Sequence, residues 1–397
     1  MRASIVTIAL ILFHLTSFCQ WEQRANTPFL KDHGIGFSLG GYGYVLTGGE
    51  DGQVFSSSKD FFRYDPSTDS WLQLPDYPGP ARGYGIGDVW NGKMYFGFGS
   101  SGFINLNDLW SWDPNTDTFE QLPSCPCAGR VHPAFVIADG KIYVGAGGGL
   151  SGNLNDFWEF DIATEMWNPM PDIPGPRHHP YQFELNGDIY VGNGHLSSWY
   201  RYTPGSNNWV QVASLPTRVA GAQFSYNGKG YALSGTDTNH NRFATGEFWE
   251  YDPIADTWTA LPPHPGTSRF APSQFVIGTY IYILGGYDRF DPTGTLIPYS
   301  TMWRYNLGPG TVDVEEVAET EVNGSVYPNP VNSVMHISLD KNLGSSAVIN
   351  MYDISGQLVK AVPFQSAIDV ADLPNGMYIL DVVDQDLSVF REKFLKH

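Results

Sequence analysis

The chain has 397 residues, which is long enough for one large domain and one smaller one. Its formal net charge is −19, and its lysines and arginines are too few to neutralise the phosphates of a nucleic acid, which argues against nucleic-acid binding. Aromatic residues make up 15% of the chain and charged residues 16%, a composition typical of a β-rich body that buries many rings.

The N-terminal segment, residues 1–19, has the features of a signal peptide. Arg2 supplies the positive start, residues 5–15 form the apolar core, and Ser17 and Cys19 place small residues before the cleavage point. Cys19 also raises a lipoprotein alternative, which the bulky residue before it disfavours. No later apolar run is long enough to span a bilayer, so the sequence predicts export without a transmembrane segment.

From residue 20 to residue 310 the same pair of short strands recurs. The first strand carries aromatic residues at alternate positions, as in Phe62-Arg63-Tyr64, Trp110-Ser111-Trp112, Trp158-Glu159-Phe160, Tyr200-Arg201-Tyr202, Trp249-Glu250-Tyr251 and Trp303-Arg304-Tyr305. A second strand follows most of them, with Trp71, Phe119, Trp167, Trp209 or Trp258. A period of roughly 40–50 residues is the signature of a propeller or solenoid, in which each unit packs against its neighbours.

The rest of each unit has the pattern of a hairpin. In four units a turn dipeptide lies between two apolar runs, namely Asn91-Gly92, Asp139-Gly140, Asn186-Gly187 and Asn227-Gly228. These dipeptides tolerate the positive φ of a tight two-residue β-turn. Four strands per unit and six units predict an all-β fold, a six-bladed β-propeller.

The ends of the repeat region predict how the ring closes. The sixth aromatic strand, at Trp303, is not followed by a tryptophan strand, whereas Trp21 lies ahead of the first unit. We therefore expect the segment that begins at Trp21 to be the outermost strand of the last blade. Closure of this kind removes the open sheet edges that promote aggregation.

The repeat unit resembles the kelch repeat. The likeness rests on the glycine doublet, the aromatic-x-aromatic-Asp strand, the following tryptophan and an arginine shortly after it, over about residues 21–307. The fourth unit departs from the pattern, with Thr203 in place of the turn aspartate and Asn193 between its glycines. The resemblance implies a kelch-type β-propeller.

Two enzymes with related propellers bear on catalysis. Galactose oxidase holds copper with tyrosines and histidines and has a cysteine–tyrosine crosslink, and no such constellation is recognisable here. A six-bladed kelch relative epimerises sialic acid, but its catalytic residues cannot be carried onto this sequence. We therefore predict no cofactor and no metal, and the catalytic residues, if the protein has any, are unknown.

After cleavage at residue 19 the cysteines that remain are Cys125 and Cys127. In an oxidising compartment they are either joined in a small local loop or left free. A metal would need further ligands, for which His132 is the nearby candidate, so a structural role is preferred.

From Thr311 the composition changes. Residues 311–324 are acidic and aperiodic, which is typical of a solvated linker. Residues 325–397 then contain, in order, Tyr327-Pro328-Asn329-Pro330, Asp353-Ile354-Ser355-Gly356 and Leu373-Pro374-Asn375-Gly376-Met377-Tyr378, followed by a basic and aromatic tail.

This C-terminal region resembles the sorting domain of the type IX secretion system of Bacteroidetes. The resemblance implies a small C-terminal β-sandwich that the secretion machinery carries across the outer membrane and that a sortase-like peptidase commonly removes. The cargo would be secreted or attached to the outer surface. A fibronectin-like accessory module is the alternative.

A basic residue precedes the innermost strand of each predicted blade: Lys31, Arg82, Arg130, Arg177, Arg218 and Arg269. Histidines follow two positions later at His33, His132 and His179. Side chains two apart on a strand point the same way. The basic residues and histidines together therefore predict a cationic ring at one mouth of the channel. Guanidinium groups bind carboxylates, so the ring suits an anion or an acidic sugar. The alternative is a scaffold role, in which each arginine pairs with an acid of the neighbouring blade or stacks on a tryptophan. Recurrence in every blade favours that alternative, and His178 and His179 are the asymmetric elements.

The loops between the second and third strands differ most among the units. The fifth, residues 236–243, contains Asp237 and His240, and the sixth, residues 287–292, contains Arg289. Long loops on a rigid scaffold are where binding residues usually lie. Asp237 begins an alternation that suggests calcium ligands, but no EF-hand-type glycine and glutamate follow, so a solvated loop is preferred. The ligand-binding candidates are Arg82, Arg130, Arg177, His178, His179, Arg218, Arg269, Asp237, His240 and Arg289.

The main functional hypothesis is an exported or surface-displayed propeller that binds a glycan or a protein through its loops without catalysis. The second is a sugar-acid mutarotase or epimerase that uses the cationic mouth. A structural component of a surface layer is the third.

Overall fold

A computed structural model of the chain describes residues 21–50, 56–289, 296–308, 324–340, 343, 347–353, 358–384 and 387–397. The predicted signal peptide and residues 311–323 of the predicted linker lie outside these ranges. The described residues form strands, turns and bends without a helix, so the all-β prediction is confirmed. The described residues therefore contain no helix that could span a membrane. The chain divides into two compact units, Met1–Asp313 and Val314–His397.

The strands of the first unit are short. In chain order they are β1 (Trp21–Arg24), β2 (Lys31–Asp32), β3 (Ile35–Leu39), β4 (Tyr42–Leu46), β5 (Gly49–Glu50), β6 (Phe61–Asp65), β7 (Ser70–Leu74), β8 (Ile86–Trp90), β9 (Lys93–Gly97), β10 (Ser100–Ser101), β11 (Ile104–Asn105), β12 (Leu109–Asp113), β13 (Thr118–Leu122), β14 (Ala134–Ala138), β15 (Lys141–Gly145), β16 (Gly148–Gly149), β17 (Gly152–Asn153), β18 (Phe157–Asp161), β19 (Met166–Met170), β20 (Tyr181–Leu185), β21 (Asp188–Gly192), β22 (Trp199–Thr203), β23 (Asn208–Val212), β24 (Ala222–Tyr226), β25 (Lys229–Leu233), β26 (Gly246–Asp252), β27 (Thr257–His264), β28 (Ser273–Ile277), β29 (Tyr280–Leu284), β30 (Tyr287–Asp288), β31 (Ile297–Pro298) and β32 (Met302–Asn306).

The described residues of this unit form six four-stranded antiparallel sheets. From the innermost strand outward their orders are β3-β4-β6-β7, β8-β9-β12-β13, β14-β15-β18-β19, β20-β21-β22-β23, β24-β25-β26-β27 and β28-β29-β32-β1. The innermost strand of each sheet lies beside that of the next, and β28 lies beside β3. The sheets therefore close into a ring, and the prediction of a six-bladed β-propeller is confirmed.

The N-terminal strand β1 completes the last blade, as the sequence predicts. It pairs antiparallel with β32, and Trp21 lies opposite Tyr305. The indole N–H of Trp21 donates to the carbonyl oxygen of Pro262 in the preceding blade at 2.9 Å, as Trp167 does to Pro123 at 2.8 Å. Trp21 thus takes the place of a repeat tryptophan, and the displaced strand makes the same bond between blades as its counterparts.

The predicted two-residue turns are also present. Asn91 and Gly92 have φ values of 48° and 71°, and Asp139 and Gly140 have 48° and 72°. Both residues of each pair are in the left-handed region, which asparagine, aspartate and glycine tolerate. This local chemistry fixes the register of the two inner strands of these blades.

Aromatic rings fill the space between blades. Phe61 of the first blade meets Trp112 of the second edge to face at 4.9 Å, and Phe157 of the third meets Trp209 of the fourth at 5.0 Å. Phe61 and Phe157 are both fully buried. The alternate aromatic residues of the repeat are therefore the contacts that hold neighbouring blades together.

One face of the propeller carries the crossings between blades and the connections from second to third strands; we call it the loop face. Two-stranded ladders β10–β11, β16–β17 and β30–β31 stiffen three of the connections. Bridges from Gly83 to Ser100 and from Val131 to Gly148 join crossings to connections. Backbone hydrogen bonds therefore hold much of the loop face in place.

The second unit is a small β-sandwich, as predicted. Its strands are β33 (Gly324–Tyr327), β34 (Val334–Leu339), β35 (Val348–Asp353), β36 (Leu358–Pro363), β37 (Ala367–Asp369), β38 (Gly376–Asp384) and β39 (Leu387–Lys396). They form the sheets β33-β34-β37 and β36-β35-β38-β39. Met335 from one sheet and Ile349, Leu380 and Phe394 from the other are buried in a common core, which is the arrangement of two packed sheets.

Candidate functional site

The basic residues that precede the innermost strands are buried beneath the loop face. Arg82, Arg130 and Arg177 are 0% exposed, Arg218 is 1% exposed and Arg269 is 2% exposed. A guanidinium group that is buried to this extent requires partners inside the protein. Ligand binding by these five residues stays a prediction. Their burial agrees with the alternative interpretation, in which the arginines are part of the scaffold.

In four blades the partner is an acid at the start of the third strand; three of these acids stand directly before the strand, and Glu247 is the second residue of β26. The pairs are Lys31–Asp60, Arg82–Asp108, Arg130–Asp156 and Arg218–Glu247, with N···O distances of 2.8, 2.7, 2.7 and 2.8 Å. Burial opposes ionisation of Asp156, but the hydrogen bonds and charge of Arg130 lower the pKa of its carboxyl group. The indole N–H of Trp158 donates to the same carboxylate at 2.8 Å. Each pair therefore ties a blade crossing to the third strand of the blade that it enters.

The fourth and sixth blades lack this acid. Ser198 and Thr301 stand in its place, and their carbonyl oxygens accept hydrogen bonds from Arg177 at 3.1 Å and from Arg269 at 2.8 Å. Burial without a carboxylate lowers the pKa of both guanidinium groups to about 10. The scaffold thus contains two buried cations that are held by neutral oxygens.

Two positions after each basic residue the backbone enters the left-handed region. These residues are His33, Tyr84, His132, His179, Ala220 and Ala271, with φ of 49°, 59°, 51°, 54°, 53° and 50°. A non-glycine residue in this region carries strain of about 1 kcal/mol or more, so the scaffold must fix it. The expectation that the side chains of Arg130 and His132 point the same way is therefore wrong, because the backbone at His132 is left-handed and does not continue as an extended strand. The arginine enters the blade, and the histidine meets histidines from other blades.

His33, His132 and His179, which we call the histidine cluster, come from the first, third and fourth blades. One ring nitrogen from each lies within 4.8 Å of the other two. The Nε2 atoms of His33 and His179 are 3.3 Å apart, and the ring centroids of His132 and His179 are also 3.3 Å apart. The ring of Tyr84 borders the cluster, with its centroid 4.4 Å from that of His33. The equivalent positions in the other three blades hold Tyr84, Ala220 and Ala271, so the cluster is not a repeat feature of all six blades.

Neighbouring side chains orient the cluster. The Nδ1 atom of His33 is hydrogen bonded to the Asp32 carboxylate, whose other oxygen accepts from the Tyr287 hydroxyl. The Nδ1 atom of His132 lies 2.6 Å from Nε2 of His178. Nε2 of His132 and Nδ1 of His179 are buried and find no hydrogen-bond partner among the described residues.

The imidazoles of His132, His178, His179 and His240 are neutral at neutral pH. Burial, reinforced by neighbouring histidines, holds the pKa of His132 and His179 well below the ordinary value. Burial also lowers the pKa of His178 and His240 to about 4. Repulsion between the protonated ring and other imidazoles adds to the effect in both cases, and the charge of Arg289 adds to it for His240. A neutral imidazole keeps a lone pair on one ring nitrogen.

The candidates in the fifth and sixth loops separate into two groups. The ring of His240 lies 6.1 Å from that of His179, and the guanidinium of Arg289 lies 4.7 Å from the Phe270 centroid beside the cluster. Asp237 instead accepts hydrogen bonds from the backbone and side chain of Asn241 within its own loop, at 2.8 and 3.0 Å. His240 and Arg289 therefore join the histidines, whereas Asp237 closes a turn. Residues 290–292 of the predicted sixth loop lie outside the described residues.

The ligand-binding candidates taken from the sequence leave out three histidines that belong to this region. His33 and His132 complete the cluster, and the ring of His195 stacks on that of His178 at 5.9 Å. The sequence does place the first two at the second position after a basic residue, but it does not show that their rings meet. No repeat signal marks His195, which lies in the short connection of the fourth blade.

Large apolar side chains are exposed at the tips of the loop face. Ile104 and Leu150, beside the β10–β11 and β16–β17 turns, are 69% and 90% exposed. Leu196 and Ile297 in the connections of the fourth and sixth blades are 36% and 42% exposed. These side chains lie on the same face as the crossings that carry the cluster.

The two cysteines are joined as a disulfide between Cys125 and Cys127. They are 1% and 7% exposed and pack in the core between the second and third blades. The amide of Asn107 donates to the carbonyl oxygen of Cys125 at 2.7 Å. The pair therefore belongs to the scaffold and is separate from the histidine cluster.

In the second unit, the Tyr-Pro-Asn-Pro motif holds the end of the chain. The side chain of Asn329 donates to the carbonyl oxygen of Lys393 and accepts from the N–H of Leu395, both at 2.9 Å. The N–H of Val331 also donates to the carbonyl oxygen of Leu395, at 2.8 Å. The opening motif and the basic, aromatic tail are thus parts of one structural element.

Residues 325–396 match the family model described as a secretion system C-terminal sorting domain. This match shows that the second unit is a sorting domain, that the protein engages the type IX secretion machinery, and that it is secreted or attached to the cell surface.

Kelch-like protein 35 of the mouse (Mus musculus) is 31% identical over 105 residues, which cover 26% of this chain and 18% of the mouse protein. The chain thus spans less than a fifth of the length of that relative. The similarity agrees with the architecture of the first unit, which is a kelch-type propeller. An exported propeller of this type suggests a binding module.

Proposed function

We propose that this exported kelch-type propeller is a binding module that holds a protein or glycan ligand on its loop face without catalysis. The observation that carries the proposal is the exposure of Ile104 and Leu150 at the tips of stiff two-stranded turns. A partner that covers such side chains gains about 25 cal/mol per Å² of apolar surface removed from water. Because backbone pairing fixes the turns, little conformational entropy is lost on binding.

The chemistry of the tips favours a protein over a glycan. Ile104, Leu150, Leu196 and Ile297 are aliphatic, and Phe103 in the β10–β11 turn is aromatic and 84% exposed. Apolar side chains of both kinds fill the dry centres of protein interfaces. They come from the second, third, fourth and sixth blades, so one protein surface can contact several blades at once. A glycan is the alternative ligand, and the test below distinguishes the two.

The sugar-acid epimerase hypothesis has less support. It requires the repeat arginines at an open channel mouth. Arg82 and Arg130 instead bind Asp108 and Asp156 inside their blades. No observation therefore favours it as a second candidate function.

The proposal is tested with the full chain on two arrays, one of surface and secreted proteins and one of glycans. A double variant, Ile104→Ser with Leu150→Ser, is expected to lose at least about tenfold in affinity for the ligand found, since two exposed anchors are removed. Ile254→Ser is the matched control, because Ile254 is 95% exposed but lies in the β26–β27 turn on the opposite face. Binding that the double variant leaves unchanged, or that Ile254→Ser weakens equally, would contradict the proposal.

We also propose that a sortase-like peptidase separates the two units after export, as the resemblance of the sorting domain implies. Support comes from the match over residues 325–396. The intact mass of the protein recovered from the cell surface or medium tests this step. The expected mass lacks residues 325–397, and recovery of the uncut chain alone would contradict it.

A further inference from the structure

We infer that His33, His132 and His179 form a three-histidine site for a late first-row divalent metal ion, with Zn²⁺ as the probe. One nitrogen from each ring lies within 4.8 Å of the others. Two imidazole nitrogens bound to tetrahedral zinc at about 2.0–2.1 Å lie roughly 3.3 Å apart. The Nε2 atoms of His33 and His179 are 3.3 Å apart, so this pair already has the required spacing. The inference is independent of the proposed ligand on the loop face.

The neighbours of the cluster leave the correct nitrogens available. The Asp32 carboxylate binds Nδ1 of His33, which puts the proton there and leaves the lone pair on Nε2. His178 binds Nδ1 of His132, so Nε2 of His132 is directed elsewhere. Carboxylates and other acceptors on the far nitrogen are the usual means by which proteins orient histidine ligands of metals.

Packing alone does not account for the imidazoles. Nε2 of His132 and Nδ1 of His179 are buried and have no hydrogen-bond partner among the described residues, and a buried polar atom without a partner destabilises the fold. The fifth and sixth blades place Ala220 and Ala271 at the same position with the same left-handed backbone. The fold therefore tolerates a small side chain here. Histidine adds a polar cost, which an ion bound to Nε2 of His132 would remove at that atom.

The donor set selects the metal. Imidazole nitrogens suit Zn²⁺, Cu²⁺ and Ni²⁺, whereas Mg²⁺ and Ca²⁺ prefer oxygen ligands. Three protein ligands leave one tetrahedral position for water or another molecule. Coordination directs the lone pairs of the three ligands toward one point. The rings of His132 and His179, whose centroids are now 3.3 Å apart, therefore move apart when the ion binds.

The test uses the full chain, which is first treated with a chelator, without reductant so that the disulfide persists. Binding of Zn²⁺ is then measured by calorimetry, and binding of Co²⁺ by visible absorption. We expect one Zn²⁺ per chain and intense tetrahedral Co²⁺ bands without a thiolate charge-transfer band. His179→Ala is expected to weaken binding at least about 100-fold, and Asp32→Asn about 10–100-fold, because the carboxylate only orients His33. His336→Ala, an exposed histidine of the sorting domain, is the matched control and should bind as the parent does.

Circular dichroism checks that each variant is folded, and the Co²⁺ spectrum of the parent chain requires no variant. Octahedral Co²⁺ bands, a stoichiometry well below one, or equal binding by His179→Ala and the parent would each overturn the site. A loss of binding in His336→Ala as large as that in His179→Ala would do the same, since it would place the ion at surface histidines.

Discussion

Both terminal nitrogens of Arg130 donate to the two oxygens of Asp156, each at 2.7 Å. The arginine is fully buried, whereas the side chain of Asp156 keeps 35% exposure. Trp158 donates to the same carboxylate at 2.8 Å. Bidentate pairs of this kind combine charge with fixed geometry. Because equivalent pairs recur in other blades, we infer that they stabilise the propeller and that ligand specificity lies elsewhere on the loop face.

Removal of the acid from this pair should strongly destabilise the propeller. Asp156→Ala leaves Arg130 buried with its charge unpaired, and we expect a loss of about 3 kcal/mol in the free energy of unfolding, measured with urea. Lys229→Ala is the control, since the Lys229–Asp252 pair at 2.6 Å has side chains 30% and 32% exposed. The control should cost less than about 1 kcal/mol. Similar losses in the two variants would show that burial does not distinguish these pairs.

The sixth blade offers the reverse experiment, in which the missing acid is supplied. The hydroxyl of Thr301 accepts from the Arg269 guanidinium at 2.7 Å, at the position that Asp156 occupies in the third blade. Thr301→Asp should raise the free energy of unfolding by about 1–2 kcal/mol and raise the pKa of Arg269, because a carboxylate replaces a neutral oxygen. Thr301→Asn has nearly the same shape without the charge, and no gain is expected from it. Equal stability of the two variants would contradict the charge argument.

The sequence predicts the ring of blades because each copy repeats its aromatic positions. Trp21 could be assigned to the last blade from its spacing alone, and its bond to Pro262 matches that expectation. The partner of Arg130 was also within reach, since Asp156 stands just before the aromatic strand, as Asp108 does in the second blade. Periodic features are therefore predictable from one sequence when the copies are compared position by position.

The histidine cluster depends on geometry that periodicity does not contain. The sequence places His33, His132 and His179 two positions after basic residues, and an extended backbone would point them with those residues. The left-handed φ of 51° at His132 sends its ring to the other blades instead. Contacts among three blades that are far apart in sequence require the closed ring itself.

Acid should destabilise the propeller partly through His264, which is buried in the fifth blade. Its Nδ1 donates to the Pro265 carbonyl oxygen at 3.0 Å, and its Nε2 accepts from the Ser234 hydroxyl at 3.0 Å. Burial, and then the charge of Arg269, lowers its pKa from 6.5 to about 3. Between those values the unfolded chain binds a proton and the folded chain does not, so the stability present above pH 6.5 is lost as the pH falls.

The contribution of His264 can be isolated by comparison with His264→Gln. Urea unfolding of both proteins from pH 7 to pH 4.5 should show that the parent loses about 2–3 kcal/mol more than the variant over this interval. The change in stability with pH is compared, so any cost of the substitution at pH 7 does not affect the result. Parallel pH profiles would rule out a neutral, buried His264.

Asn329 in the sorting domain should control export through its two hydrogen bonds to the last strand. The carbonyl oxygen of Lys393 and the N–H of Leu395 both lose their side-chain partner in Asn329→Ala, which should destabilise the β-sandwich by about 1–2 kcal/mol. We expect a smaller fraction of the protein on the surface and in the medium, and a larger fraction retained in the periplasm, measured by fractionation and immunoblotting. Asn375→Ala is the matched control, because Asn375 is exposed in the turn before β38. If the two variants are exported equally well, the attachment of the tail to the Tyr-Pro-Asn-Pro motif is not what the secretion machinery requires.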